Sequence, residues 1–210
     1  MLLPENLWWG DDRITQTLGI YEEYVLNQLI ENSKRGATKL IDIGAADGYF
    51  AVGLTYSKTY KKCIAFEISD EGQKRILENA KRNHCDGLIE INGEANLDSL
   101  ATALSGSEKS TVLIDIEGCE YDLLNDKVLK TMSNSFVICE LHHNLVDDGF
   151  AREKELLERA EQYFNTRLIK RETYNPNAFS ELDHLGDVQR LIAVSEGRTK
   201  NTRWLVCSPK

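Results

Sequence analysis

From Lys39 to Phe164 the chain repeats one pattern: a short apolar run, a turn, and a segment with helical periodicity. The runs are Lys39 to Ile43, Lys62 to Ile68, Leu88 to Asn92, Thr111 to Ile116 and Ser135 to Leu141. Helical segments follow each of them, at Tyr49 to Ser57, Asp70 to Asn83, Leu97 to Leu104, Tyr121 to Thr131 and Asp148 to Phe164. Strands alternating with helices imply right-handed βαβ units and a parallel sheet. Runs that are apolar on consecutive residues fit strands covered on both faces. Within the second helix, Ile76 and Leu77 are expected to face the sheet.

The flanks differ. Ile14 to Asn32 reads as one helix, with Leu18, Tyr21, Val25 and Leu29 at helical spacing and a stop at Lys34, Arg35 and Gly36. After Phe164 the rhythm breaks. Thr166 to Thr173 is a strand, a polar stretch contains Asn175, Pro176 and Asn177, Asp187 to Val194 is a helix, and Arg203 to Ser208 is the last strand. Two late strands outside the βαβ rhythm suggest an antiparallel pair. The expected organisation is one domain: an N-terminal loop and helix over 1–36, a βα core over 37–164, and a strand pair with a lid segment over 165–210. Trp8 and Trp9 either cover a core edge or line a pocket.

Composition narrows the partners. The 210 residues suit one α/β domain, 41% hydrophobic content supports a full core, and net charge is −9. That charge disfavours nucleic acid and anionic membrane surfaces. No apolar run approaches the roughly 20 residues that span a bilayer. Met1 to Asp11 lacks the basic start and apolar centre of a secretory leader. Five cysteines with no CxxC pair fit a reducing cytoplasm. A dimer is the default expectation for oligomeric state.

Chemistry concentrates at strand ends. Leu40 to Gly48, Leu-Ile-Asp-Ile-Gly-Ala-Ala-Asp-Gly, reads as a buried strand, a glycine turn and a helix start. Such a turn can bind an anion or a nucleotide-like ligand, or be an ordinary βα corner. Asp47 is placed to cap the helix that Tyr49 opens. Glu67 ends the second strand, and Glu94 follows the third. Asp115 ends the fourth, with Glu117 and Glu120 close behind. Glu140, His142 and His143 leave the fifth. Residues 140 and 142 share one strand face and 143 takes the other. One of the histidines is the candidate general base, since an imidazole pKa of about 6.5 suits proton uptake at neutral pH. Glu120 is expected to point to solvent or to cap a helix.

Three motifs carry a family resemblance over Lys39 to His143: Ile41 to Tyr49 (Ile-Asp-Ile-Gly-Ala-Ala-Asp-Gly-Tyr), Ile114 to Tyr121 (Ile-Asp-Ile-Glu-Gly-Cys-Glu-Tyr) and Val137 to His143 (Val-Ile-Cys-Glu-Leu-His-His). In this order and on these strand ends, the chain resembles the class I S-adenosylmethionine-dependent methyltransferases, and within them the FkbM type, many of which methylate oxygen on sugars or small metabolites. The resemblance implies a Rossmann-like α/β fold with a seven-stranded, mostly parallel sheet of order 3-2-1-4-5-7-6, strand seven antiparallel and helices on both faces. It implies S-adenosylmethionine as cofactor and a hydroxylated small molecule as acceptor. It places the cofactor against Asp42, Gly44, Ala45, Asp47, Gly48, Tyr49, Glu67, Glu94, Ala95, Asp115 and Glu117, with Asp115, Glu140, His142 and His143 as catalytic candidates. Amides from Gly44 to Gly48 would meet the methionine carboxylate, Asp47 would cap a helix or pair with the ammonium, Glu67 would hold the ribose hydroxyls, and Glu94 or the Ala95 backbone would meet adenine.

Alternatives follow from the same residues. Asp115, Glu140 and His142 are suitable ligands for a divalent metal, but they form no specific spacing motif, so metal-free transfer is the first expectation. A nicotinamide enzyme would also use Glu67, but Ala46 and Tyr49 stand where a G-x-G-x-x-G turn needs glycines. A methyltransferase-like module that binds without catalysis would keep the same set. Asn175 to His184, with Trp8 and Trp9, is the expected substrate lid.

Overall fold

The computed structural model describes residues 1–5, 13–198 and 202–210. Trp8 and Trp9 lie outside the described residues. Two helices, α1 (Arg13–Leu18) and α2 (Glu23–Lys34), precede the repeating part. Then come β1 (Lys39–Ile43), α3 (Tyr49–Tyr56), β2 (Lys62–Phe66), α4 (Asp70–Arg82), β3 (Ile89–Asn92), α5 (Leu97–Ala103) and β4 (Ser110–Ile114). The chain continues through α6 (Glu120–Leu123), α7 (Asp126–Met132), β5 (Phe136–Leu141), α8 (Gly149–Ala160), β6 (Phe164–Lys170), α9 (Asp187–Ala193) and β7 (Arg203–Pro209).

The strands form one seven-stranded sheet in the order β3-β2-β1-β4-β5-β7-β6. The first five are parallel, and β7 runs antiparallel to both β5 and β6. The order and the antiparallel β7 match expectation. Every residue of β1, β4 and β5 is buried, whereas the edge strands β3 and β6 are partly open. Alternate strand residues feed two cores. Ile41, Ile43, Val112, Ile114, Val137 and Cys139 pack with α7 residues Val128, Leu129 and Met132 on one face. Leu40, Ala65, Leu113, Ile138 and Trp204 pack with Val25, Leu29 and Leu54 on the other.

Several boundaries depart from expectation. The predicted helix from Ile14 to Asn32 is two helices. Gly19 has φ +74° and Glu22 has φ +48°, and the Glu22 side chain is buried where a surface residue would continue the helix. Ile76 is fully buried but Leu77 is 39% exposed, because one position along a helix rotates the side chain out of the face shared by Gly72, Ile76 and Ala80. The segment after β4 divides into α6 and α7 because the Asn125 side chain accepts from the Lys127 and Val128 amides and starts a new helix. Helix α8 ends at Ala160, and β6 starts earlier than expected, at Phe164, where the aromatic ring is buried. Among the described residues, no helix is long and apolar enough to cross a membrane.

Space is tight at the end of β1. A Cβ on Gly44 would stand 1.8 Å from the Asp115 carbonyl oxygen, and Gly44 has φ +85°. Gly106 shares the conformation, φ +98°, with nothing within 4 Å of a Cβ. Gly44→Ala should therefore lose about 3 kcal/mol or more in urea unfolding, while Gly106→Ala loses only about 1 kcal/mol. Equal losses would show that the packing against Asp115 is not what matters.

Candidate active site

Chain connections leave β1 toward β2 and β4 toward β5, in opposite directions, so the carboxyl ends of β1 and β4 border a crevice. A cavity of about 660 Å³ opens there. Gly44, Ala46, Glu67, Glu94, Ala95, Asp115 and Glu117 line it, with Ile43, Phe66, Ile116 and Leu123 as apolar walls. Six of the predicted cofactor residues thus share one space: Gly44, Glu67, Glu94, Ala95, Asp115 and Glu117.

The other five do not line it. Asp42 is 3% exposed within β1, and Ala45 belongs to the core beneath α3. Asp47 is buried, and its carbonyl accepts from Asn79 Nδ2 at 2.6 Å. It does not cap α3: the cap position is Gly48, φ +87°, with no side-chain cap bond. Tyr49 packs edge-on against Tyr21 and Phe50, each ring centre 5.2 Å away. The expected anion cradle is also largely taken. The Gly44 and Ala45 amides donate to the Phe66 carbonyl, Gly48 donates to the Ala45 carbonyl, and Ala46 donates to Glu67 Oε2. The Phe66 carbonyl at the end of β2, the Ala45 carbonyl within the turn and the Glu67 carboxylate satisfy these donors before any ligand can.

Glu67 is held by this turn. Its Oε2 accepts from the Ala46 amide at 2.9 Å and its Oε1 from the Ser69 amide at 2.8 Å. Each carboxylate oxygen retains a second acceptor direction for a ligand hydroxyl. Gly72 allows this pose, since a Cβ there would lie 2.6 Å from Glu67 Cγ. Along the sequence Gly72 is one position of the helical segment from Asp70 and carries no signal of this contact. Glu94 is exposed, two residues before Asn96, whose side chain caps α5.

The ends of β4 and β5 bring the remaining candidates together. His142 Nε2 lies 3.4 Å from Asp115 Oδ1, 3.5 Å from Glu117 Oε2 and 3.8 Å from Glu140 Oε2. Its Nδ1 lies 3.3 Å from Glu120 Oε1. Glu120, expected to point to solvent or to cap a helix, is fully buried, and the cap position of α6 is Cys119 with no side-chain cap bond. The Glu120 oxygens accept from the Gly118 amide at 2.8 Å and the His142 amide at 2.7 Å, tying the two strand ends. Burial alone would raise the Glu120 carboxyl, but the His142 imidazole and amide outweigh it and hold it low. Desolvation pushes Asp115 up to about 6; His142 pulls against this and Glu117 adds to it. Burial would depress His142, yet Glu120, Asp115 and Glu117 together raise it above the ordinary histidine range. The imidazole is thereby biased toward its charged form, which is unfavourable for a general base.

Glu140 is buried, and its Oε1 accepts from Arg198 at 2.8 Å. The same guanidinium pairs with Glu22 and, at 3.2 Å, with Glu196. Arg171 Nε also reaches Glu196 at 3.2 Å. Burial first, then Asp115 and Glu22, raise Glu140 above the carboxylate range against the pull of Arg198. Glu22, Arg198 and Glu196 had no sequence signal, because their partners are remote along the chain. His143 stands apart. Its ring packs on Phe150 with centres 4.6 Å apart, and Nδ1 lies 3.5 Å from Glu153, which pairs with Arg203. Opposite strand faces separate it from His142, so it does not join the cluster. Residues 175–184 do not line the cavity either. Leu182 of this expected lid packs with Ala193 and Val194 against Ile20 instead.

An O-methyltransferase from Bacillus cereus in complex with SAH aligns with a TM-score of 0.60 at 14% identity, over 99% of this chain and 94% of that one. The O-methyltransferase TomG from Streptomyces achromogenes, involved in tomaymycin synthesis and in complex with SAM, aligns with a TM-score of 0.60 at 11% identity, over 95% and 88%. This is the Rossmann-like methyltransferase fold. The B. subtilis M1A22 tRNA methyltransferase TrmK has it too, with a TM-score of 0.55 at 15% identity; the match covers 88% of this chain and 65% of that one. No family model matches the sequence, and no curated relative does. The FkbM-type resemblance therefore rests on the three motifs.

Two outcomes test the electrostatics of this methyltransferase fold. Glu120→Ala strands two buried amides, so it should cost about 3 kcal/mol in urea unfolding; an unchanged midpoint would mean that these bonds carry little. Asp42 is pushed up to about 7, by burial first and then by Asp115. The unfolded chain ionises this carboxyl near pH 4 and the folded chain only near 7. The Asp42 contribution to stability should therefore be full below pH 4 and fall by a few kcal/mol as pH rises from about 4 through about 7. Asp42→Asn should flatten that slope in melts taken from pH 4 to 8.

Proposed function

We propose that the chain is an S-adenosylmethionine-dependent methyltransferase that methylates a hydroxyl oxygen on a small metabolite. The observation that carries this reading is the meeting of Gly44, Glu67 and Asp115 on one cavity between β1 and β4. The fold's O-methyltransferase neighbours, one with SAH and one with SAM, support the cofactor. The three motifs support the FkbM type, which implies a sugar or similar hydroxylated acceptor. The acidic lining, with Glu67, Glu94, Asp115, Glu117 and Asp122, opposes a phosphate backbone, so a small acceptor is preferred to RNA. Free cysteines, four of them buried, fit a cytoplasmic setting.

The residues present suit this cofactor. Glu67 offers two anionic oxygens for a ribose diol, and the carboxylates of Asp115 and Glu117 face a site for positive charge. When bound, S-adenosylmethionine supplies an electrophilic methyl: the acceptor oxygen forms the C–O bond, the C–S pair returns to sulfur, and the hydroxyl proton leaves. The protein aligns the two reactants and excludes water with Ile43, Phe66 and Ile116. The proton passes to the carboxylates that face the cavity, Asp115 and Glu117. Isothermal titration tests the cofactor. S-adenosylmethionine and S-adenosylhomocysteine should bind and NAD should not, with Glu67→Ala weakening both sulfur compounds about tenfold or more. A folded protein that binds neither would overturn the reading.

A further inference from the structure

Resting on the methyl-transfer reading, we infer that Asp115 Oδ1, Glu140 Oε2 and His142 Nε2 form a divalent-cation site at the ends of β4 and β5. One ligand atom from each lies within 4.8 Å of the others. Measured from Nε2, the carboxylate oxygens stand at 3.4 Å for Asp115, 3.5 Å for Glu117 and 3.8 Å for Glu140. Donor atoms bound at about 2.0–2.2 Å to a common ion sit roughly 2.9–3.6 Å apart. The observed spacing is thus close to that of a coordination shell. It is wide for hydrogen bonds.

The side chains around the point are turned toward it without satisfying one another. The His142 side chain is only 9% exposed, and Asp115 Oδ1, buried and 3.4 Å from its Nε2, has no hydrogen-bond partner. A buried imidazole nitrogen set among three carboxylates at 3.4, 3.5 and 3.8 Å has the arrangement of a cation site. The outer contacts agree. Fully buried Glu120 stands behind His142 at Nδ1, 3.3 Å away, as a carboxylate does behind a metal-bound imidazole. Arg198 takes Glu140 Oε1 at 2.8 Å and leaves Oε2 facing His142. One nitrogen and two carboxylate oxygens suit Mn²⁺, Fe²⁺ or Zn²⁺ better than Mg²⁺ or Ca²⁺, which prefer all-oxygen shells.

Such an ion would polarise the acceptor hydroxyl as a Lewis acid. His142 then acts as a ligand, not a base, and the exposed Glu117 is the group placed to take the proton. The three ligands come from two strand ends that the fold brings together, a juxtaposition that spacing along the chain does not show.

The test is Mn²⁺ titration of the metal-stripped chain, followed by loss of the free-ion electron paramagnetic resonance signal. S-adenosylhomocysteine binding is measured on the same preparation. The wild type should bind one Mn²⁺ per chain, and His142→Ala and Asp115→Asn should each weaken it at least tenfold. His142→Gln and Asp115→Asn keep the comparison if His142→Ala melts early by circular dichroism. S-adenosylhomocysteine binding without Mn²⁺ binding would overturn the cation site and leave the methyltransferase reading standing. Mn²⁺ binding unchanged in folded variants would also overturn the site. Binding of neither ligand would remove both.

Discussion

The end of β1 meets the end of β4 with no space for a methyl group, and much of the architecture depends on that approach. Gly44, at φ +85°, lets the chain turn beneath the Asp115 carbonyl and then enter α3. A side chain there would separate the strands where their connections diverge. The crevice at that divergence is where ligands of open α/β sheets bind. One glycine therefore links sheet packing, turn geometry and the position of Asp115 in the cavity.

Charge is the second constraint. Glu22, Glu120, Glu140 and Glu196 are all buried near one end of the sheet, with Asp115 and Glu117 close by. Arg198 offsets Glu22, Glu140 and Glu196, and Arg171 shares Glu196. The remainder converges on His142. Burying unpaired carboxylates is costly, so this concentration is a structural liability unless cations enter. A sulfonium and a divalent ion are both cations that such a site can hold. The carboxylates thus couple the stability of the strand ends to what binds there.

The same ion pairs explain the chain's late section. Residues 175–198 leave the sheet after β6, pack Leu182 and Val194 on Ile20, and return Arg198 to Glu140 and Glu22. The segment anchors the α1–α2 corner to the strand-end cluster. The break between α1 and α2 belongs to the same arrangement, since Glu22 turns inward at φ +48° to meet Arg198.

Local sequence determined the strands, the glycine turn and the sheet's parallel part. Those features rest on apolar runs and on backbone freedom at Gly44 and Gly48, which neighbours along the chain suffice to specify. The placement of Glu67, Asp115 and His142 at strand ends was legible for the same reason, and the family motifs added the sheet order. Tertiary structure alone decided the rest. Leu77 against Ile76 turned on one helical step, Glu120 on whether two strand ends would share its oxygens, and His143 on which face β5 offered to α8. Three of the turn amides, those of Gly44, Ala45 and Ala46, were taken by Phe66 and Glu67 at the end of the neighbouring strand. Arg198 meets Glu140, 58 positions earlier, only because the fold brings its segment to the end of β5. Burial, and the sharing of charge among residues far apart in the chain, are properties of the packed molecule that local residue patterns do not encode.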